Sequence, residues 1–175
     1  MMSLRKGWLR EAGACGRDYE VVEREWGDKI PVTWEAFEHA KKLGLNLMWL
    51  GVRLMDGAGR RAFVALTIDQ RREALEQRQG KPLPKKASEL EKMATEAWEA
   101  ATEATLIECR NLSAALRELA RDVALTEPTP LDCERAARAT LRAVSWLGGD
   151  EGGIQRQQQQ WRAERVLGPK GKTGG

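Results

Sequence analysis

The segment from Ser88 to Leu125 constrains the fold most, because it is the longest run with a regular helical pattern. Apolar or small residues recur every three or four positions, as on one face of an α-helix. This stripe comprises Leu90, Ala94, Trp98, Ala101, Thr105, Cys109, Leu112, Leu116, Leu119 and Val123. Ser88 and Glu91 form a capping-box pattern at the start, and Pro128 follows the end. The sequence therefore predicts one long helix on which the rest of the chain packs.

Helical patterns also occupy most of the remaining chain. The helices predicted outside the long one cover residues 3–14, 18–26, 34–43, 46–55, 60–79, 130–147 and 154–167. Ser3, Asp18, Thr33 and Thr129 stand where each of four helices is expected to begin, because such side chains accept hydrogen bonds from the first turn. Residues 62–68 alone also fit a strand, and we choose helix there.

These patterns predict an all-α fold, a single-domain helical bundle built on a long alanine-rich helical hairpin with shorter N-terminal helices. The expected domain is residues 1–153. Within it, short helices occupy 1–79, a stiff basic linker 80–86 and the long hairpin 87–149. Residues 154–175 form a basic C-terminal segment that ends in a flexible, glycine-rich tail.

Composition indicates a cytoplasmic protein. The three cysteines form no CxxC pair, which favours a reducing compartment over a disulfide framework. No apolar run approaches the length of a membrane span, and the N-terminus lacks the apolar core of a signal peptide. We therefore expect no membrane partner.

Catalytic and metal-binding patterns are sparse in this sequence. A nucleophilic site would need Cys15 or Cys109 beside His39, the single histidine, because a thiol requires a base to become a thiolate. A small buried cysteine and an exposed histidine are the alternative interpretation. No cluster has the spacing of a zinc or calcium site. The prediction is a non-enzymatic protein with no cofactor and no metal.

Charge is distributed unevenly along the chain. Residues 53–86 contain nine Lys/Arg and four acids, whereas residues 87–127 contain four Lys/Arg and nine acids. Either the two segments pair with each other, or the basic residues form a face for nucleic acid or an acidic protein. The candidate macromolecule-binding residues are Arg60, Arg61, Arg71, Arg72, Lys85, Lys86, Arg135, Arg138, Arg142, Arg156, Trp161, Arg162 and Arg165. Trp161 is the candidate aromatic anchor.

Four features together resemble a loose family of alanine-rich helical proteins of phages, prophages and bacteria, some of them labelled immunity proteins. They are Trp8 and Cys15 near the start, the run from Gly44 to Leu50, the alanine-rich hairpin, and the run from Gln160 to Arg165. Where that family usually has Gly-Asp-Trp, this chain has Gly-Leu-Asn at the start of the 44–50 run. The resemblance implies a helical fold and a mobile-element setting, and it supplies no mechanism.

Three functions follow as hypotheses. The first is a phage or mobile-element interaction protein that occludes the surface of a host or defence-system protein or ribonucleoprotein, as an inhibitor or regulator. The second is a sequence-nonspecific nucleic-acid-binding protein that uses the basic segments 60–86 and 154–172. The third is a structural or assembly protein of a virion.

Overall fold

The computed structural model describes residues 3–171. Over that range the chain forms nine helices and one two-stranded antiparallel sheet, which confirms the all-α class. The elements in order are β1 (Ser3–Arg5), α1 (Lys6–Glu11), α2 (Gly16–Trp26), β2 (Lys29–Pro31), α3 (Trp34–Lys42), α4 (Leu47–Leu54), α5 (Gly57–Gln79), α6 (Ala87–Glu99), α7 (Leu106–Val123), α8 (Pro130–Trp146) and α9 (Glu151–Leu167). None of these helices combines the length and the apolar character that a bilayer crossing requires.

The chain divides into two compact units. The first, unit 1, comprises Met1–Met55 and Gln159–Gly175, of which residues 3–55 and 159–171 are described. The second, unit 2, comprises Asp56–Gln158. Helix α9 therefore contributes its first half to unit 2 and its second half to unit 1.

In unit 1 Ser3–Arg5 form a strand, so the predicted helix with Ser3 at its N-terminus is wrong in its first turn. Ser3 lies opposite Pro31 in the β1–β2 ladder, and helix α1 begins only at Lys6. Residues 3–5 pair antiparallel with β2, and this long-range contact overrides the local helical pattern. The sheet and the following helices enclose an apolar cluster around Leu9, Val22 and Ile30.

Two helix starts in unit 1 use different capping groups. Helix α2 begins at Gly16 rather than at Asp18, because the Cys15 sulfur accepts a hydrogen bond from the Asp18 backbone N–H at 3.5 Å. Thr33 caps α3 as predicted, since its Oγ1 accepts from the Ala36 N–H at 3.2 Å.

The turn from α3 to α4 lies between the two helices predicted at 34–43 and 46–55. Gly44 has a φ of +71°, the left-handed conformation that glycine adopts without steric cost. Asn46 then caps α4, its side-chain oxygen accepting from the Trp49 N–H at 2.9 Å. The segment predicted as helix 46–55 is thus the short, mostly apolar helix α4, with Leu47 and Val52 buried.

In unit 2 the predicted long helix is two helices, α6 and α7, separated by residues 100–105. The Thr102 N–H donates to the Thr105 hydroxyl at 3.0 Å, so a side chain replaces a helical backbone acceptor at the break. The two helices pack on each other and share one apolar core, in which Leu90 and Ala94 join Leu116. The stripe therefore folds back on itself, a tertiary contact that local periodicity does not reveal.

The capping box predicted at Ser88 is also wrong. Helix α6 begins at Ala87, and Lys86 precedes it with no side-chain cap. The start is set by the preceding segment: the Leu83 N–H donates to the Glu76 carboxylate at 2.9 Å, and Arg72 donates to the Pro84 carbonyl at 2.8 Å. The basic linker 80–86 is thus fastened to helix α5.

Helix α8 begins as predicted, with Pro130 in its first turn and a complete capping box. The Thr129 hydroxyl accepts from the Asp132 N–H at 3.2 Å, and the Thr129 N–H donates to the Asp132 carboxylate at 2.9 Å. The Thr129 hydroxyl also donates to the Asp132 carboxylate at 2.7 Å, and with the Thr129 N–H it holds the pKa of Asp132 below its usual range. Helix α8 packs against both α5 and α7.

A buried ion pair lies inside unit 2. Arg71 of α5 and Asp122 of α7 have fully buried side chains, and the Arg71 Nη2 donates to the Asp122 Oδ2 at 2.8 Å. The Arg71 guanidinium also donates to the Thr140 hydroxyl and the Ala136 carbonyl of α8. Burial lowers the pKa of Arg71, and the Asp122 carboxylate opposes that shift. The Arg71 guanidinium of α5 therefore joins that helix to α7 and α8.

The first prediction concerns this ion pair. Asp122→Ala is expected to lower the free energy of unfolding by about 3–5 kcal/mol, because it leaves a buried guanidinium without its counter-ion. The double variant Arg71→Met/Asp122→Leu is expected to lose less than Asp122→Ala alone, since no buried charge remains. Urea denaturation measures both. As a control, Glu108→Ala at the exposed Arg78–Glu108 pair should lower the free energy of unfolding by less than about 1 kcal/mol. A double variant that is less stable than Asp122→Ala would contradict this account.

The second prediction concerns the α8 cap. Thr129→Ala should cost about 1 kcal/mol of unfolding free energy, whereas Thr126→Ala, at an exposed position outside the cap, should change it by less than about 0.5 kcal/mol.

The cap also makes the free energy of unfolding depend on pH. The pKa of Asp132 is depressed in the folded state, so its carboxylate contributes stability above its unfolded-state pKa of about 4, and that contribution is lost as pH falls through the folded-state pKa. Asp132→Asn should therefore flatten the acid limb of the unfolding free energy plotted against pH. An acid limb identical in the variant and the parent would contradict the assignment.

Candidate interaction surface

Most of the basic residues in segment 60–86, which the sequence predicts to bind a macromolecule, form hydrogen bonds or ion pairs inside unit 2. Arg60 donates to the Pro128 carbonyl at 3.0 Å, Arg61 lies 3.2 Å from the Glu127 carboxylate, and Arg72 donates to the carbonyl oxygens of the linker. Arg71 is fully buried, which corrects its prediction as a macromolecule-binding residue. A guanidinium enclosed by three helices is inaccessible to a partner.

Ion pairs join the basic segment 53–86 to the acidic segment 87–127. They are Arg61 with Glu127, Arg71 with Asp122, and Arg78 with Glu108. This confirms the internal-pairing interpretation of the charge pattern for these residues. Lys85 and Lys86 remain exposed at the end of the linker.

The three arginines predicted on helix α8 do lie together on its exposed side. Arg135, Arg138 and Arg142 are exposed, with Arg138 3.3 Å from Glu134 and Arg142 paired with Glu118 of α7. We call these three arginines the arginine face. Its carboxylates offset only part of its positive charge.

The C-terminal candidates separate into exposed and buried side chains. Arg156 and Arg165 are exposed, Trp161 is half-buried, and Arg162 is only 3% exposed, which corrects its prediction as a surface residue. The reason is Gly51 of α4: a Cβ there would lie 3.1 Å from the Arg162 Cδ. The absence of a side chain at Gly51 lets the arginine stem pack against α4 inside unit 1.

The segment 168–171 is held against α3, so the predicted flexible tail does not begin at Gly168. The Trp34 indole N–H donates to the Gly168 carbonyl at 3.1 Å, and the Lys170 ammonium lies 2.9 Å from the Glu38 carboxylate. This ammonium lowers the pKa of Glu38. The rest of the predicted tail, residues 172–175, lies outside the described residues.

The thiol and imidazole considered for catalysis have other contacts. The His39 Nε2 lies 3.0 Å from the Glu25 carboxylate, and the ring meets Trp26 edge-on at 5.3 Å between centroids. The His39 contact is the largest cause of a lowered Glu25 pKa. The Cys15 sulfur serves as the α2 cap. Within residues 3–171, no group of three or more His, Cys, Asp or Glu side chains is arranged to hold a metal ion.

Within residues 3–171, three of the four large apolar side chains that are exposed lie where α6 meets α7, and the fourth, Leu131, lies on α8 and is 48% exposed. Trp98 ends α6 with 48% of its surface exposed, and Leu106 and Ile107 begin α7 with 47% and 75% exposed. We call these three residues, with the connection 100–105, the α6–α7 tip. Trp98 was expected in the buried stripe, and the fold-back leaves it outside the core.

A signal for this tip is present in the sequence. Leu106 and Ile107 are adjacent, and neither belongs to the predicted stripe, which passes through Thr105 and Cys109. Two large apolar residues outside the buried face of a helix indicate either a break or a contact surface. The structure has both at this point.

The charge around the α6–α7 tip is acidic. Residues 93–109 contain four glutamates and no Lys or Arg. Glu96 lies 3.9 Å from Lys92, and Glu108 pairs with Arg78. Glu99 and Glu103 are exposed beside the apolar side chains and have no ion pair within residues 3–171. The tip therefore combines apolar side chains with negative charge.

No family model, curated protein or solved structure matches the chain. Its function is therefore inferred from the contacts, burial and charges of its own residues.

Proposed function

We propose that this chain is a non-enzymatic interaction protein that binds another protein through the α6–α7 tip and occludes the surface it covers. The observation that carries the proposal is the exposure of Trp98, Leu106 and Ile107 at one end of the α6–α7 hairpin. Clustered large apolar side chains are rare on a surface that stays in water, and they are common at protein contact sites.

The chemistry of the tip indicates the kind of partner. Trp98 and Ile107 offer apolar area that a shallow apolar socket would cover, and tryptophan is among the residues that most often dominate binding energy. Glu99 and Glu103 stand beside them, so the complementary surface carries Lys or Arg around that socket. The partner is thus a protein with a basic rim around an apolar depression.

The resemblance to phage and prophage proteins gives this contact a setting. In that setting the partner is a host or defence-system protein, or the protein component of a ribonucleoprotein, and the chain acts as an inhibitor or regulator. The buried Arg71–Asp122 pair fixes α7, one arm of this hairpin, against α5 and α8. A rigid binding element loses less conformational entropy when a partner covers it.

A second candidate function is sequence-nonspecific nucleic-acid binding, and the arginine face favours it. Its arginines lie along the exposed side of α8, where they would contact successive phosphates. This changes the site from the one predicted by sequence, because most of the arginines in segment 60–86 are engaged within unit 2. The virion-assembly hypothesis is a third possibility and requires a second copy as the partner.

The third prediction tests the α6–α7 tip against the arginine face. Photo-crosslinking from position 107 in host lysate, followed by mass spectrometry, is expected to give one dominant protein product, which is then purified. Trp98→Ala should weaken binding to that purified partner by about 30-fold or more, because a central anchor contributes about 2 kcal/mol or more. Calorimetry measures the dissociation constants, and circular dichroism checks that each variant is folded.

The matched control is Arg135→Ala/Arg138→Ala/Arg142→Ala, which should bind the same protein with at most a small change. Loss of binding in this triple variant with retention in Trp98→Ala would contradict the proposal. A crosslinked second copy, with light scattering that shows oligomers disrupted by Ile107→Glu, would instead favour virion assembly.

The fourth prediction addresses the nucleic-acid candidate. If the arginine face binds phosphates, a gel shift with duplex DNA at low salt should weaken steeply at moderate salt, because each phosphate contact releases counter-ions. The same triple arginine variant should shift little DNA even at low salt, while Trp98→Ala should behave like the parent. A shift that the triple variant preserves would exclude this face as the binding site.

A further inference from the structure

Unit 1 contains an apolar cavity that the proposed function does not use. The cavity has a volume of about 80 Å³ and lies between the sheet, helices α2 to α4 and the second half of α9. Small residues leave this space open, since Ala36 and Ala40 of α3, Gly51 of α4 and Ala163 of α9 all line it. An unfilled apolar space destabilises a folded core, because the atoms of its wall lack contact partners. A molecule of matching size and chemistry would supply those contacts.

The wall of the cavity offers a ligand almost no polar contact. Polar atoms make up only a small part of the cavity surface. Among the few polar residues of the lining, Thr33 uses its hydroxyl to accept from the Ala36 N–H in the α3 cap, and Arg162 already interacts within the protein. Water needs about two to four polar partners to occupy a buried site, so it is a poor occupant here. A carbonyl, hydroxyl or charged group that entered the cavity would lose its hydrogen bonds to water without replacement.

Size and access limit the ligand further. An apolar cavity of about 150 Å³ can hold benzene, so this cavity, about half as large, takes a group of roughly three to five non-hydrogen atoms. Several lining residues, among them Val32, Ala36 and Val166, are half-buried, so the cavity lies close to the surface of unit 1. We infer that unit 1 binds a small neutral apolar molecule of this size, a short or branched hydrocarbon, in this cavity. The site is independent of the α6–α7 tip, so either proposal stands if the other fails.

The probes for this site are isobutene and acetone, which share their planar shape and differ in one group, because acetone has a carbonyl oxygen where isobutene has a terminal methylene. Nuclear magnetic resonance titration of the full chain should give a dissociation constant of about 1 mM or below for isobutene. The titration should shift the methyl resonances of Leu50 and Leu54, which line the cavity. Acetone should bind at least about tenfold more weakly, because its oxygen would lose its hydrogen bonds to water.

Two matched variants test whether the ligand lies in the cavity. Ala36→Leu places a larger side chain on the cavity wall and should weaken isobutene binding by about tenfold or more. Ala114→Leu makes the same substitution at an exposed position of α7 in unit 2 and should leave isobutene binding within about twofold. Circular dichroism checks that both variants are folded. If Ala36→Leu fails to fold, Ala36→Val takes its place, and it should weaken isobutene binding by about threefold or more.

Three results would overturn the inference. The first is the absence of any methyl shift in the parent chain when the solution is saturated with isobutene. The second is equal or tighter binding of acetone, which would remove the neutral apolar class. The third is unchanged isobutene binding in the folded Ala36 variant, which would place the ligand outside the cavity.

Discussion

The contact between α6 and α7 determines how unit 2 is organised. Small side chains at Ala94, Ala115 and Ala120 let the helices approach closely, and Leu90 and Leu116 fill the remaining space. This contact requires the chain to reverse within residues 100–105. The reversal removes Trp98 from the core that the rest of the stripe forms, and Ile107, at the start of α7, is exposed at the same point.

Charge in unit 2 serves two purposes. Internally, Arg71 joins α5 to α7 and α8, and its pair with Asp122 excludes arrangements in which either charge would be buried alone. Externally, the acidic α6–α7 tip and the arginine face give the same unit surfaces of opposite sign. If the proposed function holds, the charge of each surface would favour partners of the opposite sign.

Local chemistry explains which parts of the fold could be predicted. Thr33, Asn46 and Thr129 cap helices because the groups involved lie within three residues of each other, and Gly44 adopts a conformation that its own lack of a side chain permits. The prediction of a helix that begins at Ser3 is wrong because Ser3 pairs with Pro31, which is distant in sequence.

The break at residues 100–105 could not be predicted from propensity, since alanine and threonine there do not exclude a helix. The candidate sites show the same limit. Exposure of Arg135, Arg138 and Arg142 followed from helical spacing, whereas burial of Arg71 and Arg162 depends on Asp122 and Gly51, which the chain brings near only on folding.

The measurement that tests this account most directly is the distance between nitroxide labels at positions 91 and 117. The labels are attached through unnatural amino acids so that the cysteines stay unlabelled. The fold-back places the two labels on adjacent packed helices, whose axes lie about 8–10 Å apart, and a pulsed electron-resonance distance of roughly 10–25 Å is expected. A continuous helix would separate the positions by about 39 Å, at about 1.5 Å per residue. A distance near that value would contradict the fold-back and the exposed tip that follows from it.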